Sequence, residues 1–233
     1  MNKTIYDWSQ ERDLGRFHLE GNGKLRVEDG HLVIETFRLR PNAKATTVWL
    51  RGLVLPDAFE LSFTFRSTAE NGNTMVIFNA LPLGLRDIFD DPRPDAWYND
   101  LTCFGKMQAH TVGFHRSVYD RPSVLRKVGG HVPESWGSHA YGTPEWFHED
   151  NTTAQSTVKE PLTAGDLGKP QRYTLTKRGE RITFSMGGQI LHDYTDCLQY
   201  PYCDKVLHNG HMAFRNFSGP AVDIYESIVI SQL

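Results

Sequence analysis

The stretch Phe59-Glu60-Leu61-Ser62-Phe63-Thr64-Phe65-Arg66 alternates without a break. In a strand, Phe59, Leu61, Phe63 and Phe65 share one face, while Glu60, Ser62, Thr64 and Arg66 share the other. The phenylalanine face has to be buried, and a sheet buries one face by packing on a second sheet. The same alternation leaves Arg66 and its neighbours on an outer face, open either to solvent or to a ligand groove.

Working outward, β-branched and aromatic residues between turn residues predict further strands. They cover Arg16–Leu19, Lys24–Val27, Leu32–Thr36, Thr47–Arg51, Thr74–Asn79, Met107–His115, Arg172–Lys177, Arg181–Ser185, Gln189–Tyr194, His211–Phe217 and Asp223–Ser231. Glu28-Asp29-Gly30, Arg178-Gly179-Glu180 and Gly187-Gly188 read as turns, the last closing a hairpin. No stretch keeps a helical apolar period long enough for a major helix. So many short strands exceed what one open sheet tolerates. The expected fold is an all-β, two-sheet antiparallel β-sandwich, a concanavalin A-like jelly roll. With no repeat and no linker, residues 1–233 read as a single domain carrying a long insertion at about 129–170.

Composition bounds the function. A hydrophobic share of 39% supports a core, and the net charge of −3 argues against nucleic-acid binding, which needs a basic surface. No apolar run approaches membrane-span length, so no membrane partner is expected. The first eight residues lack the apolar core of a signal peptide, giving a cytoplasmic expectation, or an exported one if a native leader has been removed. Three cysteines make no disulfide framework; Cys197 and Cys203 read as free thiols, or as a small bridge in an oxidising compartment. Oligomeric state is left open.

The densest chemistry lies in Met107–Tyr119. Gln108 and His110 share a strand face, and a bulge at Gly113 could bring His115 to the same side. Arg116 can hold a carboxylate, His110 can take a proton, and Tyr119 can return one. Arg126 and Lys127 follow beside a glycine turn. The insertion carries Trp136, Tyr141, Trp146 and Phe147, an aromatic set suited to walling a groove or to covering a sheet edge. No zinc spacing occurs among the ten histidines, His208 and His211 flanking a turn. No cofactor is expected, although Asp87, Asp90, Asp91, Asp95 and Asp100 could supply oxygens to a structural Ca²⁺. The Glu-x-Asp-x-x-Glu motif of hydrolases on this fold is missing.

Several of these segments resemble, in order, one known family. They are Arg86-Asp87-Ile88-Phe89 with Arg93 and Tyr98; His110 through Phe114-His115-Arg116 to Val124-Leu125-Arg126-Lys127; Phe184–Gly188 through Asp196; and Gly210–Arg215 to Tyr225–Ile230. The family is the YesU-like bacterial one, founded as a domain of unknown function, concanavalin A-like in fold and typical of polysaccharide-utilisation loci. The resemblance implies glycan processing without fixing a reaction. The His- and Trp-rich insertion departs from the family pattern, as does Val124, where the family has asparagine.

The resulting expectation is a lyase that cleaves a uronic-acid-containing oligo- or polysaccharide by β-elimination. His110 would be its base, Tyr119 its proton donor, and Arg116, Arg66 or Arg126 its carboxylate clamp. Arg66, Asn79, Gln108, His115, Arg126, Lys127, Trp136, Trp146 and Arg215 would contact the sugar. The alternatives are a non-catalytic carbohydrate-binding protein of the same fold, and a glycoside hydrolase using residues such as Glu60, Asp87 or Glu145.

Overall fold

The structure, a computed structural model, describes residues 2–37, 45–69, 74–82, 86–90, 107–128, 152–196, 205–217 and 220–233. Its strands are β1 (Lys3–Asp7), β2 (Phe17–Gly21), β3 (Gly23–Glu28), β4 (His31–Thr36), β5 (Ala45–Leu50), β6 (Ala58–Ser67), β7 (Thr74–Pro82) and β8 (Met107–Phe114). They continue as β9 (Ser123–Val128), β10 (Thr152–Val158), β11 (Gln171–Arg178), β12 (Arg181–Met186), β13 (Gln189–Thr195), β14 (His211–Phe217) and β15 (Ala221–Gln232). Only Trp8–Glu11 forms an α-helix among the described residues, and none is long and apolar enough to cross a membrane.

Two antiparallel sheets make the sandwich. One runs β13-β12-β11-β6-β15-β4-β3, with β1 pairing the far end of β15; the other runs β10-β9-β8-β7-β14-β5-β2. The alternating segment is β6, and Phe59, Leu61, Phe63 and Phe65 are all fully buried between the sheets. Phe63 meets Phe114 at 5.0 Å and Phe214 at 5.5 Å edge-on, and stacks on Tyr173 at 5.4 Å. Such aromatic contacts add about 0.5–1.5 kcal/mol each beyond burial. The Gly187-Gly188 turn closes β12 on β13 with φ of 57° and 87°, left-handed values that glycine adopts without strain.

Three strands exceed the sequence expectation: β1, β9 and β10. The last lies inside the segment read as an insertion, so residues 152–158 belong to the sheet. Thr-Thr-Ala-Gln-Ser-Thr-Val has β-branched residues but little apolar alternation, which an edge strand does not need. Trp136, Tyr141, Trp146, Phe147, Cys197 and Cys203 lie outside the described residues.

Along one side, the edges of the two sheets are sewn together by polar side chains of β13 and its end. His192 bridges Ser123 and Ser156, each at 2.8 Å. Tyr194 donates to Gln155 at 2.6 Å. Asp196 receives His110 Nε2 at 3.2 Å and Lys127 Nζ at 2.8 Å. A second polar strut crosses the interior, where Asn216 Nδ2 donates to Asp223 at 2.7 Å.

Burial pushes the Asp223 carboxyl up to about 6, against the hydrogen bonds from Ser67 and Asn216. Its folded value therefore lies above the unfolded one, so its charge costs stability above pH 6 and the cost fades as pH falls towards 4. Asp223→Asn is expected to raise unfolding stability at pH 8 by up to about 3 kcal/mol. At pH 4 it should change little. Urea titrations at both pH values check this; a gain of equal size at pH 4 would exclude the titration account.

Candidate functional site

The seven-stranded sheet is unusual in being buried on both faces. All six residues of β5 and all eight of β8 are buried. Val48, Leu50, Val76, Phe78, Val112, Phe114 and Phe214 face the other sheet. Their alternates Trp49, Ile77, Ala80, Met107, Ala109, Val128 and Ala213 form a separate apolar cluster on the outer face, joined by Ile88.

Strand register lays polar side chains across this outer face in rows. Glu20 pairs with Thr47, Thr47 with Arg215, Arg215 with Met75, and Met75 with Gly113. The next row is His18, Trp49, Ala213, Ile77, Thr111 and Arg126. Neighbouring strands lie about 4.8 Å apart, so Arg215 and the backbone of Gly113 are separated by about 10 Å. Arg215 is 1% exposed and donates to Thr47 Oγ1 at 3.2 Å; Trp49 is fully buried.

Arg116 joins this face through Gly113. A Cβ placed on Gly113 would lie 2.8 Å from Arg116 Cδ and 3.0 Å from Nη1, so the arginine lies over the one position of β8 with no side chain. Its backbone is fixed by Glu160, whose carboxylate accepts from the N–H groups of His115 (2.8 Å), Arg116 (2.7 Å) and Ser117 (3.3 Å). Burial raises the Glu160 carboxyl, and these hydrogen bonds work against that rise. Burial, then the charges of Arg126 and Arg121, bring the Arg116 guanidinium down to about 10.

The far end of the face is aromatic. Phe89 meets His18 at 5.6 Å and His211 at 5.3 Å, with the Arg51 guanidinium 5.4 Å from its ring centre. His18 Nε2 lies 3.8 Å from Glu20, and His211 lies 3.7 Å from Asp87. Asp87 and Asp90 also cap their own turn, accepting from the N–H groups of Phe89 and Asp87 respectively. His208 turns to Asp57 instead, at 3.0 Å. No group of three or more ligating side chains occurs among the described residues.

Of the residues singled out in the sequence, Arg116, Arg126 and Arg215 come together here. Several others do not. His110 was expected to face a ligand beside Arg116, but it alternates with Ala109 and Thr111 and so points between the sheets. It is fully buried, stacked on Phe78 at 5.2 Å and bonded to Asp196. Lys127 faces it across the strand pair and is equally buried. Gln108 follows the parity of His110. Gly113 makes no bulge; the register slips on the partner strand, between Phe78 and Leu81. His115, at φ 56°, packs against Phe65 at 5.2 Å and is held down to about 4 by burial. The Tyr119 hydroxyl is spent on the Ala69 carbonyl. Asn79 sits in the slipped segment at φ 50°, its fully buried amide without a hydrogen-bond partner. Arg66 lies on the other sheet's outer face, paired with Glu226 at 2.9 Å.

The sequence reading passed over Glu20, Thr47, Trp49 and Thr111. Their signal was a strand whose polar positions are as buried as its apolar ones, and single-strand alternation does not reveal that. The resulting arrangement supplies fixed donors, one carboxylate and an apolar floor, which together can orient a polar ligand.

Residues 4–128 match the family model described as "Domain of unknown function (DUF1961)". No curated protein matches the sequence. A crystal structure described as a protein of unknown function with galectin-like fold from Bacillus subtilis superposes with a TM-score of 0.75 at 20% identity, covering 100% of this chain and 98% of that one. The carbohydrate-binding module CBM66 from Bacillus subtilis gives 0.51 at 10% identity, over 91% and 93% of the two chains. The exoplasmic/lumenal domain of VIP36, in a Ca²⁺/Man3GlcNAc-bound form, gives 0.57 at 9% identity, over 100% and 90%. At these identities the likeness is one of fold.

Proposed function

Because this chain belongs to the family described as a domain of unknown function, DUF1961, we propose from its geometry that it is a carbohydrate-binding domain. The saccharide lies on the outer face of the seven-stranded sheet. The observation that carries this reading is the buried polar row of Glu20, Thr47 and Arg215 on a face turned away from the core. Polar groups withdrawn from water cost free energy unless they are satisfied, and they gather where a ligand is to be oriented. The fold's likeness to a carbohydrate-binding module and to a glycan-bound lumenal domain supports the same reading.

Binding needs no more than this face offers. The lyase reading needs a base beside the carboxylate clamp, and His110 lies on the opposite side of β8 from Arg116. The non-catalytic alternative is therefore the better supported.

The test is retention on immobilised polysaccharides, with product analysis in parallel. Wild type should be retained, and Arg215→Met should weaken retention per folded molecule about ten- to a hundredfold, the range for losing a charged hydrogen bond. New reducing ends, or an ultraviolet-absorbing unsaturated product, would overturn the non-catalytic reading.

A further inference from the structure

Arg116 differs from five other arginines among the described residues, each of which holds a carboxylate. Arg16 holds Glu11 at 2.5 Å, Arg26 holds Glu35 at 2.7 Å and Arg66 holds Glu226 at 2.9 Å. Arg86 likewise holds Asp90, and Arg181 holds Asp193. Arg116 is partly withdrawn from water, and its Nε is buried with no acceptor. The charges around it are chiefly of its own sign, Arg126 and Arg121. Among the described residues Glu160 is the carboxylate acting on it, and both its oxygens are taken by backbone N–H groups.

A guanidinium in this position is electrostatically incomplete. A buried cation costs free energy unless an anion meets it, and a planar anion can take two parallel N–H groups of the fork. The side chain is also pre-positioned, since Glu160 fixes its backbone and Gly113 clears its path. Resting on the carbohydrate reading above, we infer that the saccharide bound here is anionic. Arg116 receives its carboxylate or sulfate oxygens, with Arg126 adding charge from the neighbouring strand.

The test compares affinities of the whole protein for polygalacturonate, alginate and chondroitin sulfate, for their carboxyl-reduced or desulfated forms, and for starch and mannan. Free galacturonate and inorganic sulfate are titrated separately. At least one anionic polymer should bind, and removing its charged groups should weaken binding about tenfold or more. Arg116→Gln should lose as much, Arg116→Lys should recover little because an ammonium lacks the fork, and Arg181→Gln, on the remote hairpin, should bind as wild type.

Equal affinity for charged and neutral polymers would overturn the anionic assignment and leave the carbohydrate reading standing. No retention of any polymer by wild type would overturn both. Equal losses in Arg116→Gln and Arg181→Gln would show diffuse charge in place of a site. Inorganic sulfate binding as tightly as the polymers would reduce the site to one for free anions. The polymer comparison uses wild type alone, so it decides the question even if Arg116→Gln folds poorly.

Discussion

Asp196→Ala is expected to cost about 3–5 kcal/mol of unfolding stability, the range for removing one partner of a buried ion pair. The carboxylate holds Lys127, which is 1% exposed, and the fully buried His110. Without it, the Lys127 ammonium keeps only the Lys205 carbonyl at 2.8 Å. Burial pushes the Asp196 carboxyl up, yet the bonds from His110 and Lys127 outweigh that and leave it lowered. The loss comes from stranding a charge, so removing the other charge as well should restore most of it. Asp196→Leu with Lys127→Met is expected to be far closer to wild type than Asp196→Ala alone. Denaturant midpoints for the three proteins check this, and a double variant as weak as the single one would contradict it. Saccharide binding per folded molecule should be unchanged throughout, because the cluster lies on the inner side of the sheet.

Acidification is expected to destabilise the protein between pH 6.5 and 4. His115 and His192 are each held down to about 4 by burial, against an ordinary value of 6.5. The unfolded chain therefore takes up protons below pH 6.5 that the folded chain refuses until pH 4. Stability is full above 6.5 and falls through that window by about 1.4 kcal/mol per pH unit for each histidine. Together they lose about 6 kcal/mol by pH 4. Asp223, pushed the other way, returns about half of that as it protonates below pH 6. These three groups together account for a loss of about 3 kcal/mol between pH 7 and 4 in denaturant titrations, and His110 and His211, also lowered by burial, add to it. His192→Gln should flatten the slope by one histidine's share; an unchanged slope would mean that His192 protonates freely in the folded state.

The alternation of β6 specified the sandwich together with the many other short strands and the lack of a helical period, because the buried phenylalanine and leucine face then had only a second sheet to pack on. The hairpin at Gly187-Gly188 was equally local. The candidate site was legible only in part. Arg116 was visible as a cation in a dense polar stretch, but its companions Arg215 and Thr47 enter from β14 and β5, more than sixty residues away on either side. Whether His110 faced in or out depended on the parity of β8, and Gly113 suggested a bulge that the chain places on β7. Glu160 and Asp196 carried no local signal, since each acts on residues tens of positions away.

The positions of β14 and β15 set the order in which the protein can be made. β14 lies between β7 and β5, and β15 between β6 and β4, so the two latest strands occupy the middle of both sheets. As the ribosome delivers the chain from its N-terminus, β4 and β6 must wait with open edges for a partner more than 150 residues downstream. Topologies dominated by such distant pairings fold slowly and expose sticky edges meanwhile. The residues matched by the family model, 4–128, could not complete either sheet by themselves. Translation pauses, chaperone supply and growth temperature should accordingly govern the yield of soluble protein more strongly than its final stability does.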